Sequence, residues 1–273
     1  MCNLHLARAA QGSKPAENKK LILDQFKLGG KTALVTGASA GLGAAIALAL
    51  AEAGADVVCH GNSRPAEDTC IKVKQLGRRA AAVQADLASR SGAEELFNQA
   101  QKLAPIDILV NNAGTIRRAP AVDYSDEDWM TVLQVNLNSV FKLSQLAGRS
   151  LIQRKQPGKI INIASLLAFQ GGITVPAYAA SKGGVAQLTK ALANEWAAQG
   201  INVNAIAPGY MRTDNTKALQ QNETRNRQIL ERIPAARWGE PEDLGGAAVF
   251  LASAASNYVH GHVFVVDGGW MGR

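Results

Sequence analysis

Residues Thr36–Gly43 read TGASAGLG, and the reading of this stretch decides the fold. The apolar, β-branched run KTALVT from Lys31 precedes it, and GLGAAIALALAEAG runs on from Gly41 with a helical pattern that ends at Gly54. Strand, glycine turn and helix therefore follow one another without a spacer. Gly37 permits a tight strand-to-helix turn, Gly41 lets the backbone approach an anion, and Gly43 lets the helix pack closely on the sheet. The helix N-terminus then offers backbone N–H groups to a diphosphate. The same glycines would serve as plain turn formers, but a strand before and a helix after favour the dinucleotide reading. Ser39 and Leu42 belong to the same turn and join its expected cofactor-facing set.

The rhythm continues outward from this turn. ADVVCH, RAAAVQADL, IDILVNNAG, GKIINIAS, INVNAIAPG and VFVVDGG read as six further strands. Helical patterns separate them, at residues 91–103, from Asp126 to Gln153, from Pro176 to Gly200, and near 214–231 and 241–252. Strands without clean in–out alternation, separated by helices, indicate a parallel sheet covered on both faces. The expected architecture is α/β: a single doubly wound, Rossmann-like domain over residues 21–273 with a seven-stranded parallel sheet. Residues 1–20, including QGSKPAENKK, read as a disordered extension.

Composition limits the function classes. The chain has 273 residues, 47% of them hydrophobic, which suits a globular core. The net charge is +7; residues 1–31 carry six basic and two acidic side chains, so +4 sits there and +3 on the rest. No basic run is interleaved with aromatics, so nucleic acid is not an expected partner. No apolar run is long enough to span a bilayer. Three cysteines, with no disulfide or zinc spacing and no secretory h-region, fit a cytoplasmic protein.

The second strand usually ends in an acidic residue that selects the free 2′-hydroxyl of NAD. Here the region reads CHGNSRPAED, with Gly61 and Asn62 in that place. Arg64, with His60 and Ser63, could receive a 2′-phosphate, whereas Ala40 in the glycine turn brings no cation. Use of both NAD and NADP is expected. Asp86, followed by Leu87, suits a hydrogen bond to an adenine amino group or, equally, an N-cap for the next helix. Asn112, Ala113 and Gly114 follow the fourth strand and suit a cofactor-facing turn, though turn chemistry alone would also explain them.

Two further positions carry chemistry. Ser165 ends the fifth strand, and YAASK at Tyr178–Lys182 sits on the following helix. Tyr178 and Lys182, four apart, share a helix face. An ammonium beside a phenol favours the phenolate and lowers a pKa that is ordinarily about 10. Ser165 could hydrogen-bond the substrate oxygen while Tyr178 exchanges a proton with it during hydride transfer. Lys182 could also hold the nicotinamide ribose, and Asn136 could anchor a relaying water.

TGASAGLG, NNAG, Asn136, Ser165, YAASK and IAPGYMRT together resemble the short-chain dehydrogenase/reductase family over about residues 21–273. The resemblance implies an Asn136–Ser165–Tyr178–Lys182 tetrad and usually a homotetramer. It implies nicotinamide contacts from Pro208, Gly209, Met211 and Thr213, with Tyr210 to Thr213 leading into a mobile substrate lid. The blocks FQGG and RIPAARWG further resemble members that oxidise acidic sugars. The substrate so implied is a deoxy-ketohexonate of uronate and pectin breakdown, converted between secondary alcohol and ketone. A reductase of the alginate-derived uronate, an aldose or an acyl thioester is the alternative, and a non-catalytic NAD(P)-sensing module is a further one. A sugar carboxylate needs a cation or several donors. Arg117 (or its neighbour Arg118), Gln170, Arg212 and Asn215 are the expected substrate contacts. Trp238 and Trp270 read as packing or subunit contacts.

Overall fold

The computed structural model describes residues 21–273, so the expected disorder of residues 1–20 falls outside the described residues. The strands are β1 (Thr32–Val35), β2 (Asp56–Gly61), β3 (Ala80–Gln84), β4 (Ile108–Asn111), β5 (Gly158–Ile163), β6 (Ile201–Pro208) and β7 (Val263–Val266). They form one sheet in the order β3-β2-β1-β4-β5-β6-β7, and every pairing is parallel. The chain leaves β1 in one direction to β3 and resumes at β4 on the other side of β1. That reversal opens a crevice at the carboxyl ends of β1 and β4, where ligands bind in open α/β sheets.

Strands β1, β2, β4, β5 and β6 are buried along their whole length. A strand covered on both faces has no solvent side, so its sequence cannot alternate. One face is covered by α1 (Gly41–Glu52), α2 (Glu67–Gln75) and α9 (Gly245–Ala252), which close over Val35, Val57 and Val110. The other is covered by α3 (Gly92–Leu103), α5 (Ser139–Arg154) and α6 (Pro176–Trp196), which close over Leu34, Leu109 and Val203. The helix predicted from Asp126 to Gln153 is interrupted. Between α4 (Asp126–Leu133) and α5 lies a π-helical stretch, Gln134–Asn138, that the apolar periodicity does not reveal. The lid region holds α7 (Lys217–Gln221) and α8 (Glu223–Arg232). No described helix is long and apolar enough to cross a membrane.

A buried polar chain fixes α6 to the sheet. Asn111 Nδ2 donates to Ser144 Oγ at 3.1 Å and to Asn162 Oδ1 at 2.9 Å, and Asn162 Nδ2 donates to Thr189 Oγ1 at 2.9 Å. These bonds tie β4, β5, α5 and α6 together beneath the crevice. In a buried setting each lost partner would leave an unpaired polar group, so the register of α6 on β5 is strongly specified.

Candidate active site

The glycine turn is laced to the turn after β4. Thr36 Oγ1 accepts the N–H groups of Asn112 and Ala113, both at 2.9 Å, while Asn112 Nδ2 donates to Thr36 O at 2.9 Å and Gly37 O at 3.2 Å. The Asn112 amide is thereby spent on the backbone of the turn, and Thr36 is a positioning residue that the sequence pattern does not single out. A Cβ on Gly43 would land on the Gly37 carbonyl, whereas one on Gly41 (φ +54°) would stand in open cleft, 3.6 Å from Thr213 Cγ2. The N-cap of α1 is Ala40, which has no side-chain oxygen to offer. The first-turn N–H groups of α1 therefore lack a side-chain cap and border a cleft of about 300 Å³. Uncapped donors beside a path that only glycine keeps open fit a diphosphate.

The cleft is lined by Gly37, Gly41 and Leu42 on one side and by Asn112, Ala113 and Gly114 beside them. Ser165, Tyr178 and Lys182 close its far end, and Pro208, Gly209, Met211, Thr213 and Asn215 form the opposite wall. Ser39 is half-buried in the turn and does not line the cleft.

The expected 2′-phosphate pocket is redrawn. His60 is 2% exposed and cannot meet a phosphate. Its Nδ1 accepts the Gly37 N–H at 3.2 Å, so Nε2 carries the proton and donates to Ala85 O at 3.0 Å. Burial lowers its pKa, opposed by the bond to Ala85, and keeps the ring neutral. His60 is a brace for the glycine turn. Asn62 is turned to Asp86, with Nδ2 donating to Oδ1 at 3.1 Å, and that oxygen also accepts the Ala88 N–H at 3.0 Å. Asp86 caps this local turn and not the helix α3, which starts at Gly92. The Leu87 side chain is buried in the core. Ser63 and Arg64 are exposed.

The π-helical stretch carries Asn136 inward, as such single turns often do at functional sites. Asn136 is fully buried; Oδ1 accepts the Thr115 N–H at 2.8 Å, and Nδ2 donates to Thr115 O at 2.9 Å and Ser181 Oγ at 3.2 Å. Ser165 Oγ accepts the Leu167 N–H at 3.2 Å and stands near enough to the Tyr178 phenol to pull its pKa down. Pro176 occupies the first turn of α6, where its missing N–H costs nothing. Just before it, Thr174 holds a left-handed φ of +61°, a strained conformation for a β-branched residue.

Lys182 lines the cleft beside Tyr178. Its Nζ donates to Ile163 O at 2.6 Å and lies 5.5 Å from the Tyr178 ring centroid. Burial lowers its pKa to about 8. Burial also raises the Tyr178 pKa, and the groups that pull it down are the Ser165 hydrogen bond and the Arg118 charge. Arg118, outside the tetrad, thus adds a cation to the one that the four-residue spacing places near the phenol at Lys182. Arg118 is brought there by the Ala119 N–H donating to Thr174 O at 3.1 Å, which ties its loop to the start of α6.

The other expected substrate contacts divide. Arg117 Nε pairs with Asp128 at 3.3 Å, and its Nη1 donates to Thr115 Oγ1 at 3.1 Å, so it is engaged away from the phenol. Arg212 Nε pairs with Glu240 at 2.8 Å. Gln170 Oε1 accepts the Trp270 Nε1–H at 3.4 Å. Trp238 and Trp270 are buried with Leu166, Ile229 and Ile233 under the lid, and Tyr210 packs on both. Of this set, Asn215 alone lines the cleft.

A family model described as Enoyl-(Acyl carrier protein) reductase matches residues 37–271. The 2-dehydro-3-deoxy-D-gluconate 5-dehydrogenase of Bacillus subtilis (strain 168) is 57% identical over 92% of this chain and 98% of its own. The crystal structure of a candidate 2-deoxy-D-gluconate 3-dehydrogenase from Agrobacterium tumefaciens, with bound NADP, superimposes with a TM-score of 0.87. It is 54% identical over 92% of this chain and 100% of its own. A gluconate 5-dehydrogenase from Burkholderia cenocepacia J2315, in complex with NADP and tartrate, gives a TM-score of 0.85 at 39% identity, covering 92% and 99% of the two chains. With the match spanning the glycine turn, the tetrad positions and the lid, this chain belongs to the short-chain dehydrogenase/reductase family.

Proposed function

We propose that this protein is an NAD(P)-dependent dehydrogenase of a deoxy-ketohexonate, of the 2-dehydro-3-deoxy-D-gluconate type, in uronate and pectin breakdown. The observation that carries the reading is the Ser165–Tyr178 pair at the end of the cleft, with the Arg118 guanidinium acting on the same phenol. A secondary alcohol in this place has one oxygen to bind and one proton to lose. Ser165 holds that oxygen, and Tyr178 takes its proton on oxidation or returns it on reduction. When bound, the nicotinamide accepts the hydride from the carbinol carbon or gives it back, so that alcohol and oxidised cofactor balance ketone, reduced cofactor and one proton. Lys182 is nine-tenths buried beside Gly114 and Ile163, and its ammonium suits the nicotinamide ribose hydroxyls. Asn136 fixes the Thr115 backbone by two bonds and leaves a polar path toward α6.

Arg118 is the group suited to the sugar carboxylate, because its charge reaches the reacting phenol while Arg117 is held by Asp128. We further read the protein as a cytoplasmic homotetramer. The half-exposed apolar edge at β7, with Phe264 36% and Val265 37% exposed, favours burial against another copy.

The test is the initial rate of nicotinamide reduction with 2-dehydro-3-deoxy-D-gluconate, run with NAD and with NADP. A clear rate with the native protein is expected. Tyr178→Phe should lose about 10²–10⁴-fold in turnover, the range for general acid–base catalysis, while still binding cofactor. No rate with either cofactor would overturn the substrate assignment, and an active Phe variant would overturn the role of Tyr178.

A further inference from the structure

The lid and the loop after β2 meet across the mouth of the cleft. Arg64 Nη1 lies 3.9 Å from Asp214 Oδ2. Arg64 is the one basic side chain in the loop Asn62–Ala66. Asp214 is exposed at its side chain and held at its backbone. It opens a 3₁₀ turn, Asp214–Thr216, locked by Thr216: its hydroxyl donates to Met211 O at 2.6 Å and accepts the Thr213 N–H at 3.2 Å. Gln220 Nε2 donates to the same hydroxyl at 2.9 Å. Thr213 in turn stands over Gly41, and residues 213–216 line the same cleft as the glycine turn. An exposed carboxylate on a held turn therefore stands beside the basic side chain of the loop after β2.

We propose that Asp214 is a cofactor-specificity residue that acts from the lid, by competing with a 2′-phosphate for Arg64. This rests on the reading of Arg64 as the group that receives that phosphate. A dianionic phosphate draws the guanidinium off Asp214 and leaves the carboxylate unpaired beside like charge, which opposes NADP. A free 2′-hydroxyl makes no such demand, so the Arg64–Asp214 pair stays closed over bound NAD. The use of both cofactors, expected from the missing acid after β2, then follows from an acid supplied by a different part of the chain.

The experiment is calorimetric titration of NAD and NADP into the native protein, Asp214→Asn, Arg64→Gln and the double variant, without substrate. Asp214→Asn should tighten NADP by about 2–5-fold, the worth of one exposed ion pair, and leave NAD unchanged. Arg64→Gln should weaken NADP by about 10-fold or more and erase the effect of Asp214→Asn. If Arg64→Gln weakens NADP while Asp214→Asn changes nothing, the competition is overturned and the role of Arg64 stands. Unchanged NADP affinity in Arg64→Gln overturns both. Either result leaves the sugar-acid reading to its own turnover assay.

Discussion

Gly41 and Gly43 lie two residues apart in the same turn, yet alanine should act on them in opposite ways. A Cβ at Gly43 would overlap the Gly37 carbonyl and come within 2.5 Å of Asn112 Nδ2. Non-bonded atoms sit at about 3.5–4.0 Å, so the amide must retreat by roughly 1 Å. That breaks its bonds to Thr36 O and Gly37 O, at 2.9 and 3.2 Å. Two partly buried bonds at about 0.5–1.5 kcal/mol each, with about 1–3 kcal/mol for overpacking, give a loss of roughly 2–6 kcal/mol. At Gly41 the added methyl meets only Thr213 at ordinary contact distance. The φ of +54° costs an L-residue about 1–2 kcal/mol, but the methyl then blocks the diphosphate path. Thermal unfolding without cofactor, paired with cofactor titration, separates the two. Gly43→Ala should melt well below the native protein. Gly41→Ala should melt close to it and yet lose cofactor affinity by about 10-fold or more. A folded Gly41→Ala protein that binds cofactor normally would refute the placing of the diphosphate. A Gly43→Ala protein within about 1 kcal/mol of native would refute the role of the Asn112 lacing.

Two further outcomes are expected. Arg118→Gln should raise KM for the sugar acid by about 10-fold or more, a charged hydrogen bond being worth about 1.5–3 kcal/mol, while KM for a neutral secondary alcohol moves little. Because the Arg118 charge lowers the Tyr178 pKa, the same variant should shift the pH profile of oxidation toward alkali, and Arg117→Gln should do neither. An equal effect of both arginines would count against the assignment. His60 has a folded pKa below its ordinary 6.5. As pH falls through about 6.5, the unfolded chain takes up a proton that the folded chain refuses, so stability drops, by at most about 1.4 kcal/mol per pH unit. His60→Gln removes that titration. Urea unfolding at pH 8 and pH 5 should therefore show the variant less stable than native at pH 8, with the gap narrowing at pH 5. A constant gap would show that His60 is not held neutral.

The sequence by itself determined the αβ alternation, the place of the glycine turn and the presence of Ser165, Tyr178 and Lys182 on consecutive elements. These are local properties: buried strands without alternation, glycines between strand and helix, and a four-residue helical spacing are written in neighbouring residues. Tertiary structure alone decided the rest. Whether His60 faces a ligand or braces Gly37 depends on Ala85, twenty-five residues on. Which arginine addresses the phenol depends on Asp128 holding Arg117 and on Thr174 holding the next loop. Asn136 turns inward through a π-helical stretch that the apolar periodicity of its helix does not disclose. Arg64 finds its carboxylate at Asp214, which lies in the lid. The physical reason is common to all four. A side chain's charge, burial and hydrogen-bond partners are fixed by groups brought beside it from distant parts of the chain, and a linear pattern of residue types carries no record of those approaches.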